Sequence, residues 1–145
     1  MYWTQRNMRI HVLAGALAGE ACIVLGVGRL EVLMVVLAVA GVLLAEVVNT
    51  VAEALTDLLE PRLNPIAKVI KDLAAAGVLL GAGFSVLIAV LVFYPALWDL
   101  PERLRDFAGT RLALFAAYFV AVIVPALAGF ALPVKKAARG GRRGP

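Results

Sequence analysis

The stretch VLMVVLAVAGVLLAEVVNTVAEALTDLLE, residues 32–60, decides the fold. Its first part, residues 32–45, carries no charge and is almost wholly Val, Leu and Ala. Its second part keeps the same apolar background and adds Glu46, Asn49, Thr50, Glu53, Asp57 and Glu60. A helix turns by about 100° per residue. With Glu46 at zero, Asn49 falls near about −60°, Glu53 about −20°, Asp57 about +20°, Glu60 about −40° and Thr50 about +40°. The strongly polar side chains therefore share one narrow face, while Val47, Val48, Ala54, Leu55, Leu58 and Leu59 cover the others. An uninterrupted apolar run of this length that ends in a polar stripe reads as a membrane helix reaching a surface.

Working outward, three more apolar runs reach the roughly 20 residues that a spanning helix needs. They cover residues 12–28, interrupted by Glu20; residues 73–97; and residues 112–132, which include Pro125. The second span covers residues 30–59. Hydrophobic residues make up 63% of the 145, and mean hydropathy is +0.93. A soluble domain stays at about 45–50% apolar, so lipid is the expected solvent. The expected fold is all-α: an integral membrane helical bundle of three transmembrane helices plus a fourth, C-terminal one. Residues 1–97 form the main transmembrane unit, residues 98–133 an interfacial segment and the extra helix, and residues 134–145 a basic disordered tail. Run 12–28 has basic Arg6 and Arg9 before it but is broken by Glu20, with no cleavage site leading into a soluble domain. It reads as a retained helix rather than a signal peptide.

Charge placement sets the orientation. With the N-terminus in the cytoplasm, the inner segments hold Arg6, Arg9, Arg62, Lys68, Lys71 and the tail residues Lys135, Lys136, Arg139, Arg142 and Arg143. The outer loops hold only Arg29, Arg103, Arg105 and Arg111. The basic residues flank spans and form no nucleic-acid-binding patch. The mixed-charge connection WDLPERLRDFAGTR, residues 98–111, reads as a short interfacial helix or a solvated loop.

Charged groups near hydrocarbon cost at least about 2.5–3.5 kcal/mol each at mid-bilayer. A row of carboxylates also repels itself, so the stripe implies a cation or a positive partner. Hard oxygen ligands suit Mg²⁺, which keeps waters and is shared with substrate phosphates. The connection PRLNPIAKVIKD, residues 61–72, supplies Lys68, Lys71 and Asp72 at the same end, after a turn forced by Pro61 and Pro65. Carboxylates, a lysine and a further carboxylate at one membrane surface fit Mg²⁺ and nucleotide phosphates. A solvated acidic face and a snorkelling Lys71 are the competing readings.

Other chemistries fit worse. No G-x-x-x-x-G-K-[ST] loop is present. One histidine and one cysteine exclude a His/Cys metal cluster. Ser85 lies in an apolar run with no G-x-S-x-G around it. Gly77, Gly81 and Gly83 read as close helix contacts, and Cys22 as a small packing residue. Glu20 reads as a neutral, hydrogen-bonded interface residue. Its use with Glu46 as a transporter's charge relay is disfavoured by the lack of repeats.

The run AEVVNTVAEALTDLLEPRLNPIAKVIKD, residues 45–72, resembles the signature of the small prokaryotic diacylglycerol kinase and undecaprenol kinase family. QRNMRIH, residues 5–11, resembles the segment before that family's first span, closest to the undecaprenol kinase branch of Gram-positive bacteria. The resemblance covers about residues 5–95. It implies a homotrimer in the bacterial inner (plasma) membrane, with sites between subunits facing the cytoplasm. It implies Mg²⁺-dependent transfer of the ATP γ-phosphoryl group to a lipid hydroxyl, that of undecaprenol or alternatively of diacylglycerol. Glu46 then matches the general base and Glu53 a metal ligand. Asn49 and Asp57 match polar site residues, Lys71 the lysine on nucleotide phosphate, Asp72 the neighbouring site aspartate, and Arg9 a basic residue before the first span. Gln5 stands where the family has a metal-binding glutamate, and a neutral amide holds Mg²⁺ more weakly. The reduced N-terminal surface helix and the added fourth helix depart from the family pattern too. With Gln5 they leave open a catalytically weakened relative acting as a scaffold subunit.

Overall fold

The computed structural model describes residues 6–59 and 64–131. Gln5, Glu60, Pro61, Arg62 and the basic tail lie outside the described residues. The described chain is helical throughout its length apart from short connections: α1 (Arg6–Leu25), α2 (Arg29–Leu59), α3 (Pro65–Ala96), α4 (Leu100–Asp106), α5 (Leu112–Tyr118) and α6 (Val124–Ala131). The last three are joined by π-helical turns, Phe107–Arg111 and Phe119–Ile123, into one fourth rod. Four stretches are long and apolar enough to cross a membrane: Asn7–Leu25, Arg29–Leu59, Pro65–Ala96 and Leu100–Gly129. Their outward faces are apolar, with Leu37, Leu44, Leu79, Leu80 and Leu91 exposed, as a bundle solvated by lipid requires. The fold is an all-α membrane bundle.

The rods alternate in direction, because the connections between them are short. The N-terminus of α1, the end of α2 and the start of α3 therefore meet at one end, here called the stripe end. The end of α1, the start of α2 and the start of α4 meet at the other.

Each boundary has a local cause. α1 stops at a left-handed Gly26, φ 57°, where the Val27 amide returns to the Cys22 carbonyl at 3.3 Å. This is a Schellman stop, which glycine adopts without a Cβ penalty. α3 begins eight residues before the expected 73, at Pro65. Asn64 caps it, its side chain accepting from the Ile66 amide at 2.8 Å, and Pro65 sits at the first helical position. Proline there gives up only an amide that would have no helical partner. Pro65 thus starts a helix as well as forcing the turn.

The fourth rod also starts earlier than the expected 112. The mixed-charge stretch is its first turns, opened by Pro101. Pro125 lies two residues beyond the Phe119–Ile123 π turn. Proline has no amide and its ring collides with the carbonyl four residues back, and a widened turn before it makes room.

α2 and α3 pack closely where Gly81 faces Val42 and Ala45. Ser85 Oγ donates to the carbonyls of Gly81 at 3.0 Å and Ala38 at 3.2 Å, tying the two helices. Gly77 and Gly83 have open space around them instead. Of the three expected close contacts, only Gly81 is one among the described residues. Cys22 is a buried packing residue, in a cluster with Val35 and Val92.

Candidate functional site

The polar stripe forms as its helical spacing requires, and it is graded. Glu46 is 2% exposed. Asn49, Thr50 and Thr56 are buried, Glu53 is half-buried and Asp57 is exposed. The threonines satisfy themselves: Thr50 Oγ1 donates to the Glu46 carbonyl at 2.9 Å, and Thr56 Oγ1 to those of Ala52 and Glu53. The acids and amides do not close on themselves in this way.

Asn49 Nδ2 donates to Glu53 Oε1 at 3.1 Å, fixing that carboxylate from one turn away. Asn49 Oδ1 and Glu46 Oε2 are buried and accept no hydrogen bond among the described residues. Leaving such groups unsatisfied costs about 1–3 kcal/mol each, more when charged. Both line a cavity of about 200 Å³ with Asn7 and His11 of α1 and Ala75, Val78, Leu79 and Ala82 of α3. Nearer the stripe end, Lys71 Nζ donates to Asp57 Oδ1. Asp57 lies 11 residues beyond Glu46, about 16 Å along the helix axis.

The structure therefore joins Lys71 to Asp57, and Asn49 to Glu53, and sets Glu46 beside Asn49. Asp72 follows Lys71 and is exposed. Arg9 is 3% exposed in α1, and its sequence neighbours Asn7 and His11, two residues to either side, supply the cavity wall. Gln5 lies outside the described residues. Among the described residues, no three His, Cys, Asp or Glu side chains gather as a metal cluster. Glu53, held by Asn49, is a hard oxygen donor of the kind that would fit a partial Mg²⁺ site sharing substrate phosphates and water.

Asn7 and His11 are additions to the residues singled out from sequence. A signal existed in their spacing of four, one helical turn, but which helix they would face is a tertiary fact. His11 and Ala82 also border a second, apolar cavity of about 290 Å³ between α1, α2 and α3. Its walls include Gly15, Ala18, Val39, Val42 and Ile88. Glu20 is buried as expected, but neither of its carboxylate oxygens has a hydrogen-bond partner among the described residues. Among the described residues of this chain, the hydrogen-bonded reading of Glu20 finds no partner.

Comparison with known proteins gives concordant matches. Residues 1–93 match the family described as prokaryotic diacylglycerol kinase. The undecaprenol kinase of Bacillus subtilis (strain 168) is 35% identical over 100 residues, covering 65% of this chain and 76% of that protein. The diacylglycerol kinase of Synechocystis sp. (strain ATCC 27184 / PCC 6803 / Kazusa) is 34% identical over 98 residues, covering 67% of this chain and 56% of that protein. The chain thus spans little more than half the length of the second relative. No solved structure matches significantly.

Proposed function

The chain belongs to the prokaryotic diacylglycerol kinase family, and on that premise we propose that it is a membrane lipid kinase that phosphorylates a lipid alcohol with ATP and Mg²⁺. The observation that carries the reading is Glu46: a buried carboxylate with an unpartnered oxygen, in a cavity that Asn7, His11 and Asn49 also line and that adjoins a mostly apolar-walled one through His11 and Ala82. A lipid alcohol needs both surroundings, one for its tail and one for its hydroxyl.

In this reading Glu46 takes the hydroxyl proton as the lipid oxygen forms its bond to the γ-phosphorus. The bond from that phosphorus to the β–γ bridging oxygen breaks, and ADP leaves with the oxygen. Lys71 holds nucleotide phosphate, which competes with Asp57 for the ammonium. Phosphates laid along the stripe from Lys71 pass Glu53 before they reach the Glu46 cavity. Glu53 and Asn49 would hold Mg²⁺, which neutralises phosphate charge there. Asp72 stands at the same end to bind nucleotide, while Arg9 is buried on the α1 side of the site. Phosphoryl transfer asks for positioning and charge neutralisation above all, and the stripe's side chains offer both.

Undecaprenol is the proposed acceptor, favoured by the branch that QRNMRIH resembles, with diacylglycerol the alternative. The stripe end faces the cytoplasm, where ATP is, and a homotrimer completes the site. A scaffold role is the second reading, favoured by Gln5 at a metal-ligand position. The deciding experiment supplies labelled ATP, with and without Mg²⁺, to full-length protein in lipid containing undecaprenol or diacylglycerol. Mg²⁺-dependent labelling of one lipid supports the kinase and names its substrate. Labelling of neither by folded protein favours the scaffold.

A further inference from the structure

The family match ends at residue 93, yet the fourth rod is built into the bundle. Each of its segments, from α4 to α6, touches α1. At the far end Arg103 Nη1 donates to the Leu25 carbonyl at 2.7 Å. That carbonyl belongs to the last turn of α1, where a helix has no amides of its own left to offer. The Arg111 guanidinium fills the space a side chain on Gly26 would occupy. Two cations thus sit at the negative end of the α1 dipole. Midway, the Tyr118 hydroxyl stands where a Cβ on Gly19 would be. Beyond it Ala16 packs with Ile123 and Ala126.

α1 is 20 residues long, a rod of about 30 Å. Its first turns carry Asn7 and His11, two walls of the Glu46 cavity. A stiff rod pinned at one end and along one side has its tilt fixed, so its free end is placed as well. The Lys71–Asp57 pair, by contrast, belongs to α3 and α2, which pack on each other directly.

We propose that Arg103 is a positioning residue: with Arg111 seated on Gly26, it braces α1 from its far end and so holds Asn7 and His11 in place around Glu46. The brace stands on the contacts alone; its effect on catalysis rests on the lipid-kinase reading. It predicts an asymmetry. Loosening it disturbs the side of the site lined by α1, where the lipid alcohol binds, and spares the nucleotide side held by α2 and α3.

Two readouts on the full chain in lipid test this. Cys22 is the sole cysteine, 7% exposed and packed against Val35 and Val92, three residues before Leu25. Removing a charged hydrogen bond eases local opening, so Arg103→Met raises the rate of N-ethylmaleimide labelling of Cys22 about tenfold. Arg103→Lys keeps a donor and restores most of the protection. Unchanged labelling in Arg103→Met overturns the brace, whether or not the protein phosphorylates lipid. In the kinase assay, Arg103→Met raises KM for the lipid about fivefold and leaves KM for ATP within about twofold. Equal changes in both, or a fall in kcat alone as partial unfolding produces, overturn the positioning role. Should Arg103→Met fail to fold, Gly19→Ala pushes on Tyr118 in the middle of the brace and is read the same way. Absence of transfer by folded wild-type protein contradicts the kinase reading, and Cys22 labelling still decides the brace.

Discussion

The two ends of the bundle face the same difficulty, charged groups held among apolar helices, and they treat it differently. At the far end, Arg103 donates to the Leu25 carbonyl and the Arg111 guanidinium packs on Gly26, although Arg103 Nε and Arg111 Nη1 have no hydrogen-bond partner among the described residues. The cations complete a helix terminus, and their role is structural. At the stripe end, Glu46 and Asn49 keep buried oxygens with no hydrogen-bond partner among the described residues. A fold built for stability alone would satisfy those oxygens or replace them with carbon. The difference teaches where to look for chemistry: in buried oxygens that are left without partners and line a cavity with other polar side chains, not merely in the charge that is buried.

The largest expected effect comes from removing the divalent cation. Chelation with EDTA brings lipid phosphorylation to background at the stripe end, and it leaves Cys22 labelling at the far end unchanged. Persistent transfer without Mg²⁺ would remove the cation from the site. Next, Lys71→Met lowers kcat/KM for ATP by about 10²-fold through loss of one charge-assisted phosphate contact. KM for the lipid stays near wild type, and an equal effect on both substrates would mean the pair with Asp57 is structural.

At the far end the expected effects are on stability. Gly26→Ala forces a Cβ into a left-handed residue, at about 1–2 kcal/mol, and into the Arg111 guanidinium. The denaturation midpoint in detergent falls accordingly, while a wild-type midpoint would show that the α1 stop has no part in holding the rod. The smallest effect is Gln5→Glu, which raises activity a few-fold at limiting Mg²⁺ by adding a carboxylate ligand. No change would mean that this chain completes its metal site without that position.

The parts legible in the sequence are those set by local pattern. α2 was expected over residues 30–59 and spans Arg29–Leu59, because one continuous apolar run fixes it. The stripe followed from helical angle alone. α3 began earlier than its apolar run because Asn64 and Pro65 form a start signal that hydropathy does not weigh. The fourth span itself was expected, but not that LPERLRD continues into it as one rod, because its mixed charge reads as a separate interfacial helix, and Arg103 finds its acceptor at Leu25, distant in sequence. His11 was hidden likewise: its place between the Glu46 cavity and the apolar one exists only once three helices meet. Gln5, Glu60 and the basic tail fall outside the described residues.

The most direct test of the account is the rate of phosphate transfer by Glu46→Gln beside wild type, with matched oligomeric state and saturating ATP, Mg²⁺ and lipid alcohol. An amide fills the same cavity and cannot take a proton, so kcat falls about 10²–10⁴-fold while the oligomer stays assembled. Retention of wild-type turnover would contradict the claim that the unpartnered carboxylate is the base.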